Sequence, residues 1–273
     1  MVTSGITKFR YSVIFTAISM LAGLMLEGWK MNPYKLTTFD SLMIPVVAIL
    51  VTLSICSVLA IPVSISNISV ASLIGASLSL NTQINQSFLS ITFLAWLLTP
   101  LIAVYLTQAI YLVLVKLFSM IRINSMYLFT RLTIYLATFY GAYTISANNL
   151  GFMLLMLAEN SISMYPIVFL GVFMGAFFFS EKISYIIGER LAILSPVKLS
   201  SSLLSSSILL WILTQISIPA ALTQIMLGGL IGAAFSSPIS IINVRLLGKL
   251  LGSWIASFLL GILFSYMLGV MLK

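Results

Sequence analysis

The chain has 273 residues, 61% of them hydrophobic and only 7% charged, with a formal net charge of +8. A soluble domain carries about a quarter charged residues, so that class is excluded. The mean hydropathy of +1.18 and the recurring apolar runs of spanning length predict an all-α polytopic membrane protein. There is no histidine, and Cys56 is the single cysteine. Intrachain disulfides, histidine catalysis and thiolate or imidazole metal sites are therefore excluded; Cys56, inside an apolar run, reads as a small buried hydrophobe. No catalytic residue, metal site or enzymatic cofactor is predicted.

In chain order, about nine membrane segments are expected: 11–26, 41–61, 62–80, 88–117, 127–157, 165–179, 201–218, 219–235 and 246–272. The first is not a secretory signal, because GWK comes after it and not a small-residue cleavage site. Charges gather in the gaps. Loop 116–131 has three basic residues and no acid; loop 181–200 sets Lys182, Arg190 and Lys198 against Glu181 and Glu189; Arg245 and Lys249 come after the last polar loop. The bias of Lys and Arg toward the cytoplasm puts all three on one side of the membrane. Glu159, the C-terminus and loop 30–40 then lie opposite, with Lys30 and Lys35 running against the bias. The basic charge thus serves topology, not nucleic acid, and the expected location is the cell membrane, as a multi-pass protein.

Two stretches repeat. IPVSISNISVASLIGAS begins at Ile61 and IPAALTQIMLGGLIGAA at Ile218, aligning Pro62 with Pro219 and Leu73-Ile74-Gly75-Ala76 with Leu230-Ile231-Gly232-Ala233. Downstream, Asn85 and Trp96 match Asn243 and Trp254; upstream, Gly23 and Lys30 match Gly175 and Lys182. Four landmarks in one order mark an internal duplication, with an N-terminal repeat over 1–120 and a C-terminal repeat over 121–273. Five predicted segments separate the Lys30 and Lys182 positions if 62–80 and 219–235 are full crossings. Five is odd, so the repeats are then inverted, a pattern of secondary transporters. If the two are instead proline-broken re-entrant hairpins, the separation is four and the case for inversion weakens.

These residues resemble the inorganic phosphate transporter (PiT) family. IPVSISN is similar to its L-P-V-S-T-T-H element, and AWLLTPLIA to its S-W-V-x-x-P segment. SANNLGFML is similar to its G-x-N-D-V-x-N-A signature, with Ser146, Asn148 and Asn149 on the glycine, asparagine and aspartate. Asn149 thus replaces the aspartate, Phe152 replaces the second asparagine, and Ala221 and Leu222 replace hydroxyls in the second copy, leaving Thr223 and Gln224. MVTSGITKFRYSVIFTAISMLAGLMLEGWK resembles the segment immediately downstream of the family's first signature, so the resemblance implies a sequence that starts just after the family's first transmembrane helix.

The resemblance implies a secondary transporter moving inorganic phosphate by alternating access, with Na⁺ or H⁺ as coupling cation. Its partners would be phosphate, membrane lipid and a second copy in a homodimer. A permease for another oxyanion such as sulfate, and a non-transporting subunit with an eroded site, stand as alternatives.

The residues themselves fit anion binding. Pro62 and Pro219 interrupt the helical ladder and suit the first turn of a new helix, whose free N–H groups and dipole attract anions. Ser64, Ser66 and Asn67 can donate to phosphate without fixed charge; packing and hydrogen bonding between helices is their other use. Asn148 and Asn149 are costly in an apolar helix unless partnered, either by structural hydrogen bonds or by a transported ion. Thr223 and Gln224 complete the candidate set. An asparagine at position 149 offers a carbonyl oxygen to Na⁺ but accepts no proton. The repeat glycines are expected to allow close helix approach, Trp96 and Trp254 to anchor or pack, and Lys30 and Lys182 to reach solvent.

Overall fold

A computed structural model describes residues 8–37, 42–58, 63–157, 164–190, 195–236 and 244–272. Its helices are α1 (Phe9–Glu27), α2 (Met43–Val58), α3 (Ile65–Leu80), α4 (Gln86–Ser119), α5 (Ile123–Ile145), α6 (Gly151–Leu157), α7 (Met164–Arg190), α8 (Pro196–Gln215), α9 (Leu222–Phe235) and α10 (Val244–Met271). Two 3₁₀ turns, Gly28–Lys30 and Pro33–Lys35, come after α1, and a π-helical segment, Ser146–Leu150, joins α5 to α6. A chain in hydrocarbon must satisfy its backbone internally, and helices do this within one segment. The protein is an all-α membrane protein. Among the described residues, four stretches are long and apolar enough to cross a membrane: Phe9–Lys35, Gln86–Ser119, Pro196–Gln215 and Gly248–Met271. Met43–Val58, Ile65–Leu80, Met164–Phe178 and Leu222–Phe235 are shorter apolar helices.

Of the two sequence readings of 62–80 and 219–235, full crossings or re-entrant helices, the packing matches the second. The turn before α2 and the end of α3 lie together: Asn85 N donates to Leu36 O at 2.9 Å, and Thr37 pairs with Ile84. So α2 enters and α3 returns on one face, as a re-entrant pair. The pair α8 and α9 does the same, with Ser202 Oγ facing Met226 O at 3.5 Å. The physical reason is the break itself: after it, α3 and α9 retain only 16 and 14 residues, short of the ~20 a crossing needs. Outside the re-entrant pair, α4, the α5–α6 run and α7 lie between the Lys30 and Lys182 positions, an odd number of passages, in keeping with inverted repeats.

The repeat is visible in the packing. Helix α3 runs parallel to α10, meeting Gly261 near Ile68 and Ala71, Ile262 at Gly75 and Gly269 at Ser79. Helix α9 runs parallel to α4, meeting Pro100 at Gly228 and Val104 at Gly232. Gly75 and Gly232 are repeat equivalents, and Val104 and Ile262 each lie eight residues after the matched tryptophans. The same contact is therefore made twice, each half lending its second short helix to the other. At both sites a Cβ would strike a carbonyl of the facing helix, so only glycine permits the approach. Gly23 packs likewise on the Tyr143 backbone, whereas its match Gly175 meets nothing within 4 Å. Trp96 and Trp254 pack inside the protein: Trp96 stacks edge-on with Phe93 and Phe258, and Trp254 is buried. Cys56 is buried as expected. Helix α7 runs on to Arg190 through part of the predicted loop 181–200, since no proline or glycine pair interrupts SEKISYIIGER.

Candidate functional site

The two hairpin tips meet. On the first, Ser64 caps α3, its Oγ accepting from Asn67 N at 3.3 Å. Serine is favoured there because its hydroxyl satisfies a first-turn N–H. On the second, α8 ends in a turn closed by Ser217 at φ 66°, with Ser217 N donating to Thr214 O at 3.0 Å and Ile218 N to Leu213 O at 2.9 Å. This is a Schellman closure. Ile218, Pro219 and Ala220 then run unwound to Ala221, which begins α9 with no side-chain cap. Pro219 thus lies ahead of α9 and not in its first turn: the unwound run continues past it, held by outside partners. Pro62 lies outside the described residues.

Those partners come from three other elements. Trp96 Nε1 donates to Pro219 O at 2.7 Å. Asn148 Nδ2 lies within donating distance of Ile218 O at 3.0 Å and Thr214 Oγ1 at 3.1 Å, and its Oδ1 accepts from Ala220 N at 3.0 Å. Ser66 Oγ lies 2.7 Å from Ala220 O and 2.8 Å from Asn149 Oδ1. One hydroxyl hydrogen serves one acceptor at a time, so Ser66 has a choice of partner. Ser66 sits in the first turn of α3, and Trp96, near the third turn of α4, reaches the same unwound run. Helix α9 runs parallel to α4, which sets out from the side where α3 ends, so α3 and α9 point their N-termini at one another from opposite directions.

The π segment places both amides. A π turn inserts an extra residue and is frequent at functional sites. Here it lets neighbouring Asn148 and Asn149 serve different strands of the same junction, Asn148 the second tip and Asn149 the first. Ser64, Ser66, Asn67, Asn148 and Asn149 are all buried, none more than 7% exposed. Among the described residues, Asn67 Oδ1 on the first tip and Ser217 Oγ on the second are buried without a partner, as is Ser146 Oγ, which faces α1 and α7. Such a group costs about 1–3 kcal/mol if left unpaired, so each calls for a ligand or water.

Of the sequence candidates, the structure joins Ser64, Ser66, Asn67, Asn148 and Asn149 with Pro219. It leaves out two: Thr223 is exposed and Gln224 only half-buried, on the outer side of the first turn of α9. Ala221 and Leu222 occupy the buried positions there. Sequence reading missed the Ala220 carbonyl, Thr214 and the role of Trp96. A backbone carbonyl leaves no signal in sequence, but the repeat-matched tryptophan did. Among the described residues no cluster of acids or thiols could hold a metal; the oxygens available for a cation are the neutral ones of Asn67, Asn149, Ser66 and Ala220.

Opposed re-entrant hairpins related by an inverted repeat, tip to tip around a neutral polar junction, define a membrane carrier architecture. Residues 122–265, more than half the chain, match the phosphate transporter family, and the chain belongs to that family. A protein of Methanocaldococcus jannaschii described as a candidate phosphate permease is 23% identical over 274 residues, covering 97% of this chain and 87% of that one. A solved structure of a sodium-dependent phosphate transporter superimposes with a TM-score of 0.73 at 15% identity, covering 98% of this chain and 91% of that one. This likeness establishes a shared fold.

Proposed function

We propose that the chain carries inorganic phosphate across the cell membrane, driven by Na⁺, with halves 1–120 and 121–273 alternately exposing the junction to each face. One observation carries this reading: Ser66 Oγ stands between Asn149 Oδ1 and the Ala220 carbonyl, where two helix N-termini converge. Helix N-termini favour anions, and Ser64 and Ser66 add donors without fixed charge, so release is not blocked, while Asn148 holds the second tip in place. The Asn67 oxygen supports phosphate over sulfate. It is a buried acceptor without a partner, and phosphate keeps a proton at neutral pH to donate to it, whereas sulfate has none. Neutral oxygens suit a hard cation, and an amide at position 149 has no proton to exchange, which favours Na⁺ over H⁺.

The test is radiolabelled phosphate uptake by vesicles under an imposed Na⁺ gradient or an imposed pH gradient. Uptake is expected with Na⁺, and the double variant Ser64→Ala, Ser66→Ala abolishes it while inserting normally. Full uptake by that variant would refute the site.

A further inference from the structure

Charge stands just outside the neutral site. Glu27, at the end of α1, accepts from Trp211 Nε1 at 3.2 Å and from Gln215 Nε2 at 2.9 Å, both on α8. Lys30 donates through Nζ to Gln215 Oε1 at 2.6 Å and lies 3.5 Å from Glu27 Oε1. The Gln215 amide is therefore held at both ends, its NH₂ by the acid and its carbonyl by the base. Each end of this latch adjoins the site in sequence. Met31, next to Lys30, and Thr214, next to Gln215, both touch Asn148 Nδ2, at 3.6 and 3.1 Å.

Among the described residues the latch is seen once. The repeat carries Lys30 onto Lys182, but it carries Glu27 onto Phe179 and Gln215 onto Val58. Equivalent movements would open such a carrier to either face, yet this tie joins α1 to α8 without a sequence counterpart in the other pair. An oxyanion leaving water for a neutral junction also needs an attracting charge on its way. Lys30 is the base beside this junction, and its side chain keeps 26% of its surface exposed. While latched, its charge is offset by Glu27.

We infer that Lys30, tied to Gln215 and Glu27, closes the route to the Asn148 layer from the side on which α1 ends, and that on release it is the positive charge that admits an oxyanion. The admitted ion rests on the carrier reading above; the latch does not.

Met31→Cys in a Cys56→Ala background sets a thiol directly behind the latch, at a position that is fully buried. Labelling of the full chain in vesicles by a membrane-impermeant maleimide reads access to it. Labelling is slow with the latch intact and speeds up about tenfold in Glu27→Leu and in Gln215→Leu, the tenfold that roughly 1.4 kcal/mol of lost closure gives; both changes make an apolar helix more apolar and do not hinder insertion. In phosphate uptake, Lys30→Gln raises the half-saturating concentration about tenfold with the maximal rate kept, the order of effect of one nearby charge. Lys30→Arg restores it, and Lys35→Gln, at an exposed lysine nearby, leaves it unmoved. Unchanged labelling in both leucine variants would overturn the latch, and Lys30→Gln behaving like Lys35→Gln would overturn the role of the charge. If labelling responds while the unmodified chain takes up no phosphate, the latch stands and the transport reading fails.

Discussion

Replacing Gly75 with alanine probes the duplicated helix contact directly. The added Cβ would sit 3.0 Å from both the Cα and the carbonyl carbon of Ile262, and nearer still to its oxygen. Carbon atoms pack best at about 3.5–4.0 Å, and the struck atoms are backbone, which no rotamer change can move. The helices must part, so the overpacking cost falls near the upper end of its usual range, about 3 kcal/mol. Alanine returns about 1 kcal/mol of helix propensity over glycine, leaving a net loss of about 2 kcal/mol. Gly232→Ala should cost the same, because Val104 faces it as Ile262 faces Gly75. Gly175→Ala is the control: nothing lies within 4 Å, so only the propensity gain of up to about 1 kcal/mol remains. Thermal unfolding in detergent, monitored by tryptophan fluorescence, should show both packed variants melting several degrees below the unmodified chain and Gly175→Ala at or above it. A Gly75→Ala protein as stable as the Gly175→Ala protein would refute the claim that these glycines are set by backbone approach.

Two further expectations concern the junction. Asn148→Ala strips partners from Ile218 O, Ala220 N and Thr214 Oγ1; at about 1–3 kcal/mol per orphaned buried group, the second tip loses its hold, read as faster proteolysis near 216–221 and a lower melting temperature. Asn67→Ala removes the unpartnered acceptor while leaving its backbone bond to Ser64, so sulfate should compete with phosphate far better than in the unmodified chain, because sites built to bond a donor reject analogues that lack it.

Much of this was legible in the sequence for identifiable reasons. Hydrocarbon admits few charges, so apolar runs separated by basic gaps disclosed the segments. Duplication leaves matched landmarks, and the Leu-Ile-Gly-Ala pair marked in advance two of the glycines that meet a facing backbone. The Ser64–Asn67 cluster stood out because hydroxyls and amides are rare where no water can solvate them. Thr223 and Gln224 show where helix phase escapes a reading by residue type: on α9 the buried phase falls on Leu222 and Ile225, which leaves Thr223 exposed and Gln224 half-buried.

The sequence by itself determined the membrane class, the duplicated halves and a shortlist of polar residues, because these come from local composition and from alignment of the chain with itself. Only the tertiary structure decided that α3 and α9 return to the face they left, that a π turn divides Asn148 and Asn149 between two hairpin tips, and that a backbone carbonyl of Ala220 faces Ser66. Each depends on contacts between residues far apart in the chain, and on backbone atoms that every residue shares. Such groups gain meaning only from where the fold puts them.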